Sequence, residues 1–277
     1  MVLLLALLIP TGKGEMIVHL PGKDLRVFTY RPVRFRTGGP IIFVFHGMLR
    51  NAAEYRNDAI KMGDRFGALI VTPEFDQKRF PNTAYNRGGI VRADGTYAPP
   101  TEWTYSLLPG LIESVKKAAG SPDSPVKLIG HSAGGQFLAR LVPFLKVPAD
   151  RIVISNPSSW VFPTTDQKFP YGLGGMPAEL RSDEMLRQYF SQPVTIYLGD
   201  KDDHQDGSMD ESKEAQVQGP HRFARGKAFF ATAEALAKSK GWTFRWNLVT
   251  APGIEHDHTG MFNSPNAAKA LFESMKE

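Results

Sequence analysis

The stretch Val126-Lys127-Leu128-Ile129-Gly130-His131-Ser132-Ala133-Gly134-Gly135 constrains the fold of this chain more than any other. An apolar run the length of a buried strand leads into Gly-x-Ser-x-Gly, and an amphipathic stretch over residues 133–145 follows. A serine on a sharp strand-to-helix turn needs small neighbours two positions away, because strand and helix close on one another there. The turn lifts the hydroxyl clear of the strand and aims the next N–H, that of Ala133, at the same point. The helix adds its positive N-terminal end. Ser132 is therefore a candidate nucleophile, and the Ala133 N–H a candidate donor to a developing oxyanion. An ordinary βα turn with a serine cap is the plain alternative.

The rest of the chain repeats the alternation of strand and helix. Residues 17–20 and 25–30 alternate around Pro21-Gly22 and predict a hairpin. Apolar runs at 41–45, 68–73, 151–155, 194–198 and 243–249 predict further strands, and 52–66, 103–119 (interrupted or started again near Pro109), 183–190, 222–240 and 266–276 predict helices. This order implies an α/β fold: a mostly parallel central sheet with helices on both faces, in one domain over 1–277. Residues 74–100 and 161–182 are long irregular stretches of the kind that carry function or move. Residues 161–190 have room for a small cap but not for a large lid. In a parallel sheet the loops at the carboxyl ends of the strands gather on one rim. His46-Gly47-Met48, Ser132, Trp160, Asp202 and His256 all fall on such loops.

Composition narrows the function classes. The net charge is +5, but the basic residues are scattered, as in Lys116-Lys117, with no run of five. A nucleic-acid binder would concentrate them, so no nucleic-acid partner is expected. The absence of cysteine excludes disulfides, thiolate metal sites and a cysteine nucleophile. The apolar residues 2–9 are too few to span a bilayer, so no integral membrane segment is expected. They lack the basic start and small-residue cleavage site of an export signal, and read as a clipped signal or a first edge strand. The compartment, cytoplasmic or exported, and the oligomeric state stay open.

A serine hydroxyl needs a base to take its proton, and a histidine needs an acid to fix its tautomer. After Ser132 the chain supplies an aspartate cluster, Asp200, Asp202 and Asp203, behind one strand, and His256 and His258 behind the last. A metal pair at His256 and His258 lacks a third ligand in sequence, and the acidic loop around Gly207 fails the EF-hand pattern, so no metal or cofactor is expected. Asp206 and Asp210 read as a solvated acidic loop, and His131 as a packing or hydrogen-bonding residue.

With Phe45-His46-Gly47-Met48, Gly130–Gly134, Gly199-x-x-Asp202 and Pro252-Gly253-x-x-His256, the chain resembles the α/β-hydrolase superfamily from about Val18 onward. Within it the chain is similar to the serine esterase branch that includes polyhydroxyalkanoate depolymerase-like and feruloyl esterase-like enzymes. The resemblance implies Asp202 as the acid, three residues after the glycine ending its strand, and His256 as the base after the Pro-Gly turn. It implies Met48 as the second oxyanion donor, although Met-Leu-Arg stands where lipase-type motifs carry further glycines. The activity implied is hydrolysis of a small-molecule carboxylic ester through an acyl-enzyme. A polyester depolymerase, a feruloyl esterase or a catalytically inactive binding module are the alternatives. Trp160, Phe162 and Tyr85, with Trp103, are candidates to line the substrate pocket.

Overall fold

The computed structural model describes residues 9–273. Among them eight strands form one sheet in the order β1-β2-β4-β3-β5-β6-β7-β8. Strands β1 (Gly12–Leu20) and β2 (Lys23–Arg31) form the expected hairpin about Pro21-Gly22, and β2 runs antiparallel to β4 (Leu69–Pro73). From β4 onward, β3 (Ile41–Phe45), β5 (Val126–His131), β6 (Arg151–Ser155), β7 (Val194–Gly199) and β8 (Asn247–Ala251) are all parallel. The sheet is mostly parallel, as the alternation of elements requires. The expectation for residues 2–8 lies outside the described residues. Ile9 is buried, and its N–H donates to the Ala118 carbonyl at 3.0 Å.

The continuous apolar runs are explained by burial on both faces. Side chains alternate along a strand, so Phe43, Leu128, Ile154 and Ile196 point to one face while Val44, Ile129, Val153 and Tyr197 point to the other. The first face is covered by α3 (Leu108–Ala118), α4 (Ala133–Leu141), α5 (Asp183–Ser191) and α7 (Arg222–Lys240), which bring Leu111, Phe137, Phe190 and Phe229 onto it. The second is covered by α1 (Ala52–Asp58), α2 (Ile60–Phe66), α8 (His258–Asn263) and α9 (Ala267–Phe272), through Tyr55, Met62, Phe262 and Leu271. The short helix α6 (Lys213–Gln216) lies in the loop before α7. No helix among the described residues is long and apolar enough to cross a membrane.

Two boundaries differ from expectation, at Ala59 and at the start of the last strand. The helix expected over 52–66 is divided at Ala59, whose ψ of −1° takes the backbone out of the helical ladder. The helix expected over 103–119 does start again near Pro109: it begins as 3₁₀ turns and becomes α-helical at Leu108, with Pro109 in the first turn, where no N–H is needed. The last strand starts at Asn247 rather than 243, because Phe244 and Trp246 leave the sheet edge to pack on Phe190.

Strand register brings the functional loops level. Phe45 pairs with Gly130, His131 with Ser155, Ser155 with Tyr197, and Gly199 with Ala251. The next residues along each strand therefore meet on one rim.

The helix α4 reaches that rim only because its first turn carries no side chains where backbones touch. A Cβ on Gly134 would stand 2.1 Å from the Phe45 carbonyl oxygen, and one on Gly130 would stand 2.2 Å from that of Gly134. Both obstacles are main chain and cannot swing aside. Gly134→Ala is expected to destabilise the protein by well over the ~1 kcal/mol of a typical substitution. Gly207→Ala, where nothing lies within 4 Å, should be silent. Thermal melting of the two variants checks this.

Candidate active site

Ser132 sits between β5 and α4 with φ 57° and ψ −117°, a backbone conformation that a residue with a side chain rarely adopts. Its N–H donates to the Ser155 carbonyl at 3.0 Å and its carbonyl accepts from Gln136 N–H at 2.9 Å, so strand and helix hold the turn from both sides. The Ala133 N–H opens α4 and has no acceptor within its own helix.

Three loops bring their side chains together. His256 Nδ1 lies 2.7 Å from Asp202 Oδ2, and His256 Nε2 lies 3.0 Å from Ser132 Oγ. A carboxylate only accepts, so Nδ1 carries the proton and Nε2 of the neutral ring accepts from the serine hydroxyl. Among the three neighbouring aspartates the geometry separates roles. Asp202 is fully buried and faces the imidazole. Asp200 accepts from the Gly253 N–H at 2.7 Å, which ties the loop after β7 to the loop after β8. Asp203 is exposed beside His204.

Asp202 stays ionised because its partners outweigh its burial. Burial alone would raise its pKa, but His256, Arg222 and Asn156 bring it below the usual carboxylate value. Arg222 donates to Asp202 Oδ1 at 3.1 Å, and Asn156 Nδ2 donates to Oδ2 at 2.7 Å. Asn156 itself stands at φ 48°, where asparagine is tolerated, and its Oδ1 accepts from Gly199 N–H at 3.2 Å. Arg222 is shared with Asp206 through bonds of 2.7 and 2.9 Å. Asp206 is therefore a partner of a buried cation rather than part of a solvated acidic loop.

His131 and His258 pack around His256 without joining the hydrogen bonds from Ser132 through His256 to Asp202. The His131 ring lies 4.6 Å from that of His256 and 5.9 Å from that of His258. His131 is buried, neither of its nitrogens has a hydrogen-bond partner among the described residues, and its pKa is pushed well down, first by burial. It is a packing residue. His258 stacks on Tyr55 at 4.0 Å and donates to Asp58 at 2.8 Å. After β3, His46 donates from Nδ1 to the Gly47 carbonyl at 3.1 Å and accepts the Phe75 N–H at Nε2, also at 3.1 Å. Tyr85 donates to the His46 carbonyl at 2.8 Å. These bonds set the backbone that presents Met48. Burial lowers the pKa of His46 to about 4, and the hydrogen bonds fix it as the neutral tautomer.

A cavity of about 300 Å³ opens at Ser132, and Met48 lines it. Trp160, Phe162 and Tyr85 do not line it, which corrects their expectation as pocket residues. Trp160 is fully buried and stacks on Phe229 at 4.5 Å, Phe162 packs edge-on against the same ring, and Tyr85 packs on Phe75 and Phe137. Trp103 is buried as well and donates to the Ala98 carbonyl. The walls are instead largely polar: Asn86 and Arg87 from the stretch 74–100, Tyr171 from 161–182, Asp210, and Gln136 and Arg140 from α4. Asp210 is thus a wall residue, not a solvated one. Sequence reasoning passed over Gln136 and Arg140, yet a signal was there. Ser132, Gln136 and Arg140 recur every fourth residue, a polar stripe on an otherwise apolar helix.

Two buried neutral imidazoles, His46 and His131, make stability depend on pH. Unfolded histidine takes up a proton near pH 6.5, and the folded protein refuses it until about pH 4 at His46. Stability is therefore full above pH 6.5 and falls as pH drops toward 4, by roughly 3 kcal/mol from His46 alone. Urea midpoints measured from pH 7 to 4 should fall for the wild type and fall less steeply for His46→Gln.

No family model matches the chain, and no curated protein does. Among solved structures, poly(aspartic acid) hydrolase-1 from Sphingomonas sp. KT-1 is 33% identical, with a TM-score of 0.88 over 96% of this chain and 100% of that one. A poly(3-hydroxybutyrate) depolymerase from Bordetella parapertussis is 31% identical, with a TM-score of 0.84 over 94% of each chain. A thermostable esterase from Pseudomonas putida, 12% identical with a TM-score of 0.54 over 93% of this chain and 78% of that one, shares the fold. With the sheet order, the turn at Ser132 and these relatives together, the chain belongs to the α/β-hydrolase superfamily.

Proposed function

We propose that this chain is a serine hydrolase of carboxylic esters that works through an acyl-enzyme. The observation that carries the reading is the unbroken hydrogen-bonded path from Ser132 through His256 to buried Asp202. In this reading His256 takes the proton of Ser132 as the hydroxyl attacks the ester carbonyl, then gives it to the leaving alcohol. Asp202 holds the ring in the tautomer that can accept, and stabilises its charged form. The backbone N–H groups of Met48 and Ala133 receive the negative charge on the carbonyl oxygen. Water then reverses the sequence on the acyl-enzyme.

Two features support an active enzyme over an inert binding module. Each role has a residue, and Ser132 is held in a strained backbone that a merely structural turn does not require. The two relatives near one-third identity are named for hydrolysis of polymers, one a polyester, which favours a depolymerase as the second reading.

Ser132→Ala is expected to melt as the wild type does and to lose turnover of short p-nitrophenyl esters by about 10⁴-fold or more. Wild-type protein should react with a fluorophosphonate at Ser132 and nowhere else. Turnover that survives in the alanine variant would sink the reading. Activity should also decline on acidification, because a protonated His256 cannot accept from the serine. A flat kcat/KM profile across the acid limb would remove His256 from the mechanism.

A further inference from the structure

The cavity at Ser132 has an unbalanced charge. Its lining carries two guanidiniums, Arg87 and Arg140, against one carboxylate, Asp210. Arg87 is exposed, whereas Arg140 is 2% exposed and reaches the cavity from inside the protein. Nη1 of Arg140 donates to the Asn86 carbonyl at 3.3 Å and Nη2 to the Ser159 hydroxyl at 2.9 Å. Its Nε has no partner among the described residues. A buried charge is ordinarily paired with its opposite, because removal from water costs several kcal/mol.

The pairing that Arg140 lacks is present elsewhere in the same chain. Arg222, equally buried, holds two carboxylates. Arg225 is met by the carbonyls of Gly219, Ser158 and Asp210 and does not line the cavity. The carboxylate that acts on Arg140, Asp210, is reached only through Ser159, whose hydroxyl donates to it at 3.1 Å. Asp210 is further occupied by the Tyr171 hydroxyl at 3.0 Å and the Ser212 N–H at 3.1 Å. Arg140 thus lines the cavity with a positive charge that the protein itself neutralises only at second hand. Burial lowers its pKa to about 10, so it remains charged at neutral pH.

We infer that the cavity takes a substrate bearing a carboxylate close to the bond that is cleaved, with Arg140 and Arg87 as the carboxylate subsite. The inference rests on the reading of Ser132 as nucleophile and adds the class of substrate. A monoanion matches the net single positive charge of the lining. A phosphate dianion would overfill it beside Asp210, and an aliphatic chain would seal Arg140 from water without a counter-charge. Guanidinium suits a planar carboxylate, which it can meet with two parallel N–H bonds.

The test uses the full chain and two matched pairs followed by pH-stat. Monomethyl glutarate against methyl valerate places the charge on the acyl side. 3-Acetoxybutyrate against 3-acetoxybutyramide places it on the alcohol side. The carboxylate member should have the higher kcat/KM by about tenfold or more in at least one pair. Arg87→Gln should collapse that ratio toward one, and Arg87→Lys should retain most of it. Ratios at or below one in both pairs, in a protein whose Ser132 is labelled by a fluorophosphonate, overturn the subsite and leave the serine hydrolase intact. If Ser132 is not labelled, the nucleophile reading fails and calorimetry decides the subsite. Monomethyl glutarate must then bind at least about tenfold tighter than dimethyl glutarate, and equal binding overturns the subsite. Inorganic phosphate that competes as well as monomethyl glutarate overturns the assignment to carboxylate.

Discussion

The contact between the first turn of α4 and the ends of three strands is the constraint on which the rest depends. Gly134 lies against the carbonyl of Phe45 on β3, Gly135 against that of Ser155 on β6, and Gly130 against Gly134 itself. Side chains at these positions would have to push the helix off the sheet by about an ångström, and packed interiors do not yield so far. The closeness forces Ser132 into its strained conformation, and that conformation raises the hydroxyl above the rim. It also sets where α4 runs, and so where Gln136 and Arg140 stand. One steric fact fixes the serine, the N–H beside it and one wall of the cavity.

A second layer concerns charge. A carboxylate buried beneath a parallel sheet's rim would tend to protonate, and a protonated Asp202 could not orient the histidine. Arg222 and Asn156 prevent this, and Arg222 is itself anchored by Asp206 and by the Ser208 hydroxyl at 2.9 Å. His131 lies against His256 without a competing hydrogen bond, so it supports the ring and leaves both of its nitrogens to their partners. The same economy of burial leaves Arg140 at the cavity wall without such an anchor. Arg222 and Arg140 are both buried guanidiniums, but the first is closed by the carboxylates of Asp202 and Asp206, whereas the second meets a carbonyl and a hydroxyl.

Ser132, Asp202 and His256, whose side chains meet at the rim, were each legible in the sequence, but not all on the same grounds. Ser132 follows from local sterics, because a five-residue pattern between a strand and a helix states its own geometry. Asp202 was set apart from Asp200 and Asp203 by family spacing, and their different surroundings arise from contacts with His256, Gly253 and solvent that no local pattern contains. The aromatic candidates misled for a physical reason. Large apolar side chains near the rim bury more surface against one another, as Trp160 does on Phe229, than they would beside a wet cavity.

By itself the sequence determined the period of the strands, the turn that only small residues permit, and the order in which Ser132, the aspartate cluster and the two histidines follow one another. These are local or patterned properties, written in neighbours a few positions apart. Tertiary structure alone decided what Asp200 and Asp203 do beside Asp202, that Asp206 closes on Arg222, and that Arg140 faces the cavity rather than a carboxylate. Such pairings join residues many positions apart, as in the 2.7 Å bond between His256 and Asp202. Their energies depend on burial and on every charge nearby, which exist only once the chain has closed.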